Sequence, residues 1–282
     1  MNVKRTIKKI ITGKNAVDGA GVKLVRVFGN ADTKDFDPFL LFDAFDSEDP
    51  ADYVKGFPWH PHRGIETITY IIEGNVEHGD SIGNSGTILS GECQWMTAGS
   101  GIIHQEMPKP SKRMLGCQLW LNLKAKDKMV SPKYRQILQS DIPIIEENSG
   151  SVLVLSGEYK QQKGALECDY IQTNYIDKEL KPDREWTYST RLEDTVFIYV
   201  VDGSVYLPDD SKSVPKRSLI LFDKGDGINI SAKEDGARFL IISAEPINEP
   251  IAWGGPIVMN TKEEIELAFK QLEDNTFIST RS

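Results

Sequence analysis

Short runs in which β-branched, aliphatic and aromatic residues crowd together, each cut off by Gly, Asp or Pro, recur along the whole chain. Val22–Phe28, Ile65–Ile72, Cys93–Thr97, Met114–Leu123, Val152–Leu155, Thr195–Val201, Leu219–Phe222 and Phe239–Ile242 all have strand length. They predict a mostly β protein. The period becomes helical only near the end, where Thr261 and Glu264 have capping-box spacing and Ile265, Ala268, Phe269 and Leu272 follow. One helix is predicted there, over Lys262–Glu273. The basic start, MNVKRTIKKIITGK, lacks the apolar core of a secretory signal. It reads as an edge strand with its lysines in water, an amphipathic organellar presequence being the competing reading. Between Asn30 and Tyr53 runs an Asp-punctuated stretch holding four apolar residues, Phe39 to Phe42. It reads as a loop folded back onto a barrel mouth.

The two halves echo each other. Thr69-Tyr70-Ile71-Ile72-Glu73-Gly74-Asn75-Val76 and Ile198-Tyr199-Val200-Val201-Asp202-Gly203-Ser204-Val205 both read as strand, Gly turn, strand. Downstream, Trp95 to Gly101 and Leu221 to Gly227 each run a strand into a Gly-X-Gly turn, and another strand follows in each half. Two similar β units are therefore expected, dividing within about Ser131–Ile144, with residues 1–135 as the first domain and 136–282 as the second.

Composition narrows the function classes. A chain of 282 residues has room for two compact units, and 39% hydrophobic residues are too many for a disordered chain. Thirty-three basic against forty-two acidic residues leave a net charge of −9, the wrong sign for a sequence-independent grip on nucleic acid. No apolar stretch approaches the roughly 18 residues that span a bilayer. Cys93, Cys117 and Cys168 are odd in number and lack metal-like spacing, which fits a reducing compartment. The sequence thus reads as a soluble cytoplasmic protein.

All four histidines, His60, His62, His78 and His104, fall in the first half. His60-Pro61-His62 sets two imidazoles on one face of an extended segment, and His104-Gln105-Glu106 sets one imidazole and one carboxylate likewise. Three nitrogen donors and one anionic oxygen leave open positions on a metal that takes five or six ligands. His78, beside a turn, reads as a surface or hydrogen-bonded residue and is set aside. Glu66 lies beyond the Arg63-Gly64 interruption and reads as an outer carboxylate that accepts an imidazole N–H.

The stretch Gly56-Phe57-Pro58-Trp59-His60-Pro61-His62-Arg63-Gly64-Ile65-Glu66-Thr67, with Gln94 through Pro108, closely resembles the pirin family of the cupin superfamily. The resemblance extends to Asp37-Pro38-Phe39-Leu40-Leu41-Phe42-Asp43 and to Gly255 through Thr261, so it covers essentially the whole chain. It implies an all-β bicupin, two antiparallel β-barrels, with one metal in the first barrel held by His60, His62, His104 and Glu106. Iron(II) comes first, with manganese, nickel, copper, cobalt or zinc as alternatives. The resemblance implies one of two functions. One is cleavage of a flavonol such as quercetin by dioxygen, with Glu106 as both ligand and base. The other is metal-dependent binding of regulatory or metabolic protein partners by a monomer.

The repeat also makes an expectation about the second half. Aligning Gly74 with Gly203 projects His60 and His62 onto Ser189 and Arg191, and aligning Gly99 with Gly225 projects His104 and Glu106 onto Ile230 and Ala232. Every ligand is lost, so the second barrel is expected to be metal-free and filled by side chains, with Arg191 turned to solvent or a carboxylate.

Overall fold

The computed structural model describes residues 3–207 and 210–278. The chain forms two β units, and each is assembled from two separated stretches. One unit comprises residues 14–139 and 247–282, the other residues 1–13 and 140–246. The boundary between residues 139 and 140 lies inside the window expected from the repeat. The domain division at 135/136, however, assigns both chain ends differently: the N-terminal strand belongs to the second unit, and the C-terminal helix to the first. Turn glycines and hydrophobic period report local structure only, so they carry no signal for this exchange.

In the first unit, an antiparallel sheet runs in the order Lys133–Ile137, Glu92–Thr97, Ile65–Glu73, Met114–Asn122, Phe39–Ser47, Val22–Phe28, Lys14–Asp18. A second, four-stranded sheet runs Phe57–His62, Ile102–Pro108, Val76–Asp80, Ser85–Ile88. Val22, Phe45, Ile71 and Met114 from the larger sheet pack with Val76 and Ile88 from the smaller, joining the two around a shared core. The apolar residues Phe39 to Phe42 are not a loop. They open the strand Phe39–Ser47, which is paired on both sides and whose first seven residues are all buried. A strand covered on both faces loses the polar alternation that marks strands in sequence.

The helix covers Lys262–Glu273, as the capping box predicts. Thr261 Oγ1 accepts from the Glu264 backbone N–H at 3.2 Å, and Glu264 Oε2 accepts from the Thr261 N–H at 2.9 Å. Ala268 is fully buried and Ile265 and Leu272 are partly so, but Phe269 lies outward.

In the second unit, Thr195–Leu207 is a long strand. Its first part pairs with Ala237–Ala244 and Ser218–Phe222, and its last part with Asp210–Pro215. The N-terminal strand Ile7–Thr12 joins this sheet at its edge, against Ser218–Phe222, with Lys8 and Lys9 exposed as expected. Ahead of it, buried Arg5 donates to Thr190 Oγ1 at 2.7 Å and to the Asp223 carbonyl at 2.8 Å. Glu185–Ser189 pairs with Gly227–Ser231 as Phe57–His62 pairs with Ile102–Pro108. By that pairing, the counterparts of His60 and His62 are Trp186 and Tyr188, three residues before the projected Ser189 and Arg191. A hairpin anchored on its turn glycine cannot register a difference in length between turn and strand. Ile230 and Ala232 stand where projected, and all four residues are buried in one apolar core. Arg191 is exposed and lies near the carboxylate of Asp194.

Candidate metal centre

The strand Phe57–His62 is bracketed by two glycines that only glycine can occupy. Gly56 has φ +61° and Gly64 φ +77°. A Cβ on Gly56 would stand 2.6 Å from the Glu106 carbonyl oxygen, and one on Gly64 would stand 2.0 Å from that of Val258. The strand therefore lies close against Ile102–Pro108, with His104 opposite His60. Alternation turns His60 and His62 to one face, and His104 meets them there. Nitrogen atoms of His60, His62 and His104 lie within 4.8 Å of one another, the one such cluster of ligating residues among the described residues.

Hydrogen bonds fix the tautomers. His60 Nδ1 lies 2.9 Å from the Pro58 carbonyl and His62 Nδ1 3.0 Å from that of Pro256. A carbonyl can only accept, so Nδ1 holds the proton in each ring and Nε2 presents a lone pair. Those two Nε2 atoms face each other at 3.1 Å. A proton is a poor solution to this repulsion: burial, with His60 adding to it, pushes His62 down to about 3. His104 is held well below the usual imidazole range by burial and by the three neighbouring imidazoles, and neither of its nitrogens has a hydrogen-bond partner among the described residues. Two imidazole nitrogens bound to one ion at about 2.1 Å and at right angles would lie about 3.0 Å apart. The donor set and its spacing fit a first-row transition metal.

Glu106 is buried on the same strand and face as His104, yet its carboxylate is not part of the histidine cluster. It accepts from Thr69 Oγ1 at 3.0 Å and from Gln118 Nε2 at 3.1 and 2.9 Å. Glu66 does not orient an imidazole. It is buried in the larger sheet, where it accepts from Thr97 Oγ1 at 2.6 Å, and backbone carbonyls take the imidazole protons instead. The left-handed turn at Gly64 sends the chain into the other sheet before Glu66 is reached. His78 is not a surface residue. It is buried directly opposite Glu106, stacked on Tyr134 at 4.6 Å, with its ring 5.6 Å from that of His104. Its strand, Val76–Asp80, carries Gly79 and Asp80, residues that read as turn in sequence.

A cavity of about 590 Å³ opens beside His60 and His62. Trp120 forms one wall, meeting the His62 ring edge-on at 5.0 Å and stacking on Trp253 at 5.7 Å. Phe45 and Phe57 contribute further apolar surface. Arg26 and Asp43 add a charged pair, the guanidinium Nε donating at 2.9 Å and Nη2 at 2.8 Å. That pairing holds Arg26 above the usual arginine range and therefore charged. Gln118 lines this cavity and also a small inner one of about 20 Å³ that Glu106 borders. The volume and mixed lining are those of a small-molecule site. Gln118, Trp120 and Arg26 were beyond sequence reading, since nothing in their local spacing separates them from core or surface residues.

Two antiparallel β units, one carrying a largely buried histidine cluster and the other filled by apolar side chains, define a bicupin. Residues 21–121 match the Pirin family and residues 175–278 the Pirin C-terminal cupin domain. A pirin-like protein of Solanum lycopersicum is 40% identical over 98% of this chain and 94% of its own. The chain belongs to the pirin family. A crystal structure of quercetin 2,3-dioxygenase from Acinetobacter baumannii superimposes with a TM-score of 0.89 at 31% identity, covering 99% of this chain and all of that one. A bacterial pirin of Escherichia coli in complex with nickel(II) shares the fold, with a TM-score of 0.66 at 23% identity over 84% of this chain and 99% of its own. Among the described residues, no helix is long and apolar enough to cross a membrane.

Proposed function

We propose that this protein is a metal-dependent dioxygenase that cleaves flavonols of the quercetin type. One divalent transition metal, iron(II) foremost, would be held by His60, His62 and His104, with Glu106 as the fourth ligand. The observation that carries the reading is the cavity of about 590 Å³ that reaches from the histidine cluster along an aromatic wall. Its likeness to the Acinetobacter baumannii quercetin 2,3-dioxygenase supports it.

A bound metal would supply Lewis-acid and redox chemistry at positions left open by the protein ligands. The chain supplies the rest. The Pro58 and Pro256 carbonyls hold the Nδ1 protons of His60 and His62 and so keep each Nε2 aimed inward. The flat faces of Trp120 and Trp253 suit a planar aromatic substrate, with ring stacking fixing its plane. Phe45 and Phe57 keep water from the reacting carbon. Glu106, a carboxylate held by Thr69 and Gln118, would take the proton of the substrate hydroxyl.

Aerobic incubation of iron-loaded protein with quercetin tests the reading through loss of the flavonol absorbance. Turnover that needs both metal and dioxygen is expected. No turnover by a fully loaded sample would replace it with metal-dependent binding of a protein partner, which a metal-dependent pull-down would then detect.

A further inference from the structure

Gln118 and Trp120 stand two residues apart on the strand Met114–Asn122, and both side chains line the cavity. The indole Nε1 of Trp120 donates to Gln118 Oε1 at 3.2 Å. An indole N–H can only donate, so it fixes which end of the Gln118 amide is oxygen and points the NH₂ group the other way. That group reaches Thr69 Oγ1 at 3.1 Å and both oxygens of Glu106. Thr69 is paired opposite Gln118 in the larger sheet, whereas Glu106 belongs to the smaller one. A continuous hydrogen-bond chain thus runs from the cavity wall, across the gap between the sheets, to the carboxylate two residues beyond His104.

We propose that Gln118 is a positioning residue that sets the place of the Glu106 carboxylate relative to the histidine cluster, with its own orientation dictated by the Trp120 indole. The inference rests on the metal reading above, but it does not require flavonol turnover. A carboxylate held at both oxygens by one amide cannot swing freely, so its contribution to the metal's coordination is decided from the cavity wall. A ligand lying against Trp120 touches the first member of the same chain, and substrate binding and carboxylate position are thereby coupled.

Cobalt(II) substitution tests this without turnover, because its d–d absorption reports coordination number and ligand set. Gln118→Leu and the closer-shaped Gln118→Met should both shift that spectrum. Trp120→Phe, which keeps the aromatic wall and removes the donor, should shift it in the same direction by less. All three shifts should vanish in a Glu106→Gln background. A wild-type spectrum in both Gln118 variants would overturn the proposal, and so would shifts that persist undiminished without the Glu106 carboxylate. Wild-type protein that takes up no cobalt would remove the metal reading and this inference together. Cobalt uptake with the expected shifts but no flavonol cleavage by the iron form would remove only the catalytic reading.

Discussion

His60 and His62 present lone pairs because two backbone carbonyls, at Pro58 and Pro256, take their Nδ1 protons. His104 has no such partner among the described residues, and its burial without one is costly unless an ion occupies the cluster. His104→Ala should therefore strip most of the metal from purified protein while leaving the far-ultraviolet circular dichroism intact, as elemental analysis would show. Unchanged metal content would remove His104 from the ligand set. Glu106→Gln should lower kcat more than it raises KM if the carboxylate moves a proton. At Gly64, an added methyl would meet the Val258 carbonyl oxygen at 2.0 Å in a left-handed backbone. Strain and overpacking together put the cost of Gly64→Ala at about 3 kcal/mol or more, readable from urea unfolding. Because Gly64 ends the histidine strand, metal affinity should fall with stability.

At the scale of elements, the C-terminal stretch is tied to the histidine strand by two buried cations. Arg63 donates to the Ser100 carbonyl at 2.7 Å, Gln271 Oε1 at 2.6 Å and the Phe277 carbonyl at 3.0 Å, and stacks over the Phe277 ring. Lys128 Nζ donates to the carbonyls of Gly64 and Val258 at 2.9 and 3.0 Å and to Asn122 Oδ1 at 2.6 Å. Burial pushes Lys128 down to about 8 from an ordinary value near 10.5. Between those values the unfolded chain binds the proton that the folded chain has released, so this residue adds stability as pH rises from 8 toward 10.5. The gain is at most about 3 kcal/mol. It should appear as a widening stability gap between wild type and Lys128→Met over that range, measured by denaturant unfolding. A gap that narrows as pH rises would refute it. In the second unit, Trp186, Tyr188, Ile230 and Ala232 stand at the positions that correspond to His60, His62, His104 and Glu106. Excess metal should therefore still leave a single transition metal bound per chain.

For the whole molecule, what the sequence made legible follows from how local each signal is. The helix cap at Thr261 and Glu264 is complete within four residues, and the pairing of His60 with His62 needs only strand alternation, so both were readable. Phe39–Ser47 was not, because burial on both faces erases alternation. The bond from Gln118 to Glu106 joins residues of different sheets and leaves no mark in spacing. Least readable was the exchange of chain ends between the units. It has a direct consequence for truncation. A chain ending at Pro246 lacks Pro256, Gln271 and Phe277, so the first unit should lose metal binding and amide protection. The second unit, which needs only residues 1–13 and 140–246, should keep its slow-exchanging strands. Hydrogen exchange would separate the two outcomes, and equal loss in both units would contradict the assignment.

That exchange of ends also bears on synthesis. Domains that are continuous in sequence fold in turn as they leave the ribosome, the N-terminal one first. Here the histidines of the first unit emerge early, but the carbonyl that orients His62 and two of the three groups that Arg63 bonds, Gln271 and Phe277, lie beyond residue 246. Residues 140–246, nearly all of the second unit, are translated in between. The half that carries the histidine cluster should therefore stay incomplete until the other half has left the exit tunnel. On the metal reading, uptake of the ion should come at the end of translation, and a nascent chain stalled before Pro256 should hold metal far more weakly than the released protein.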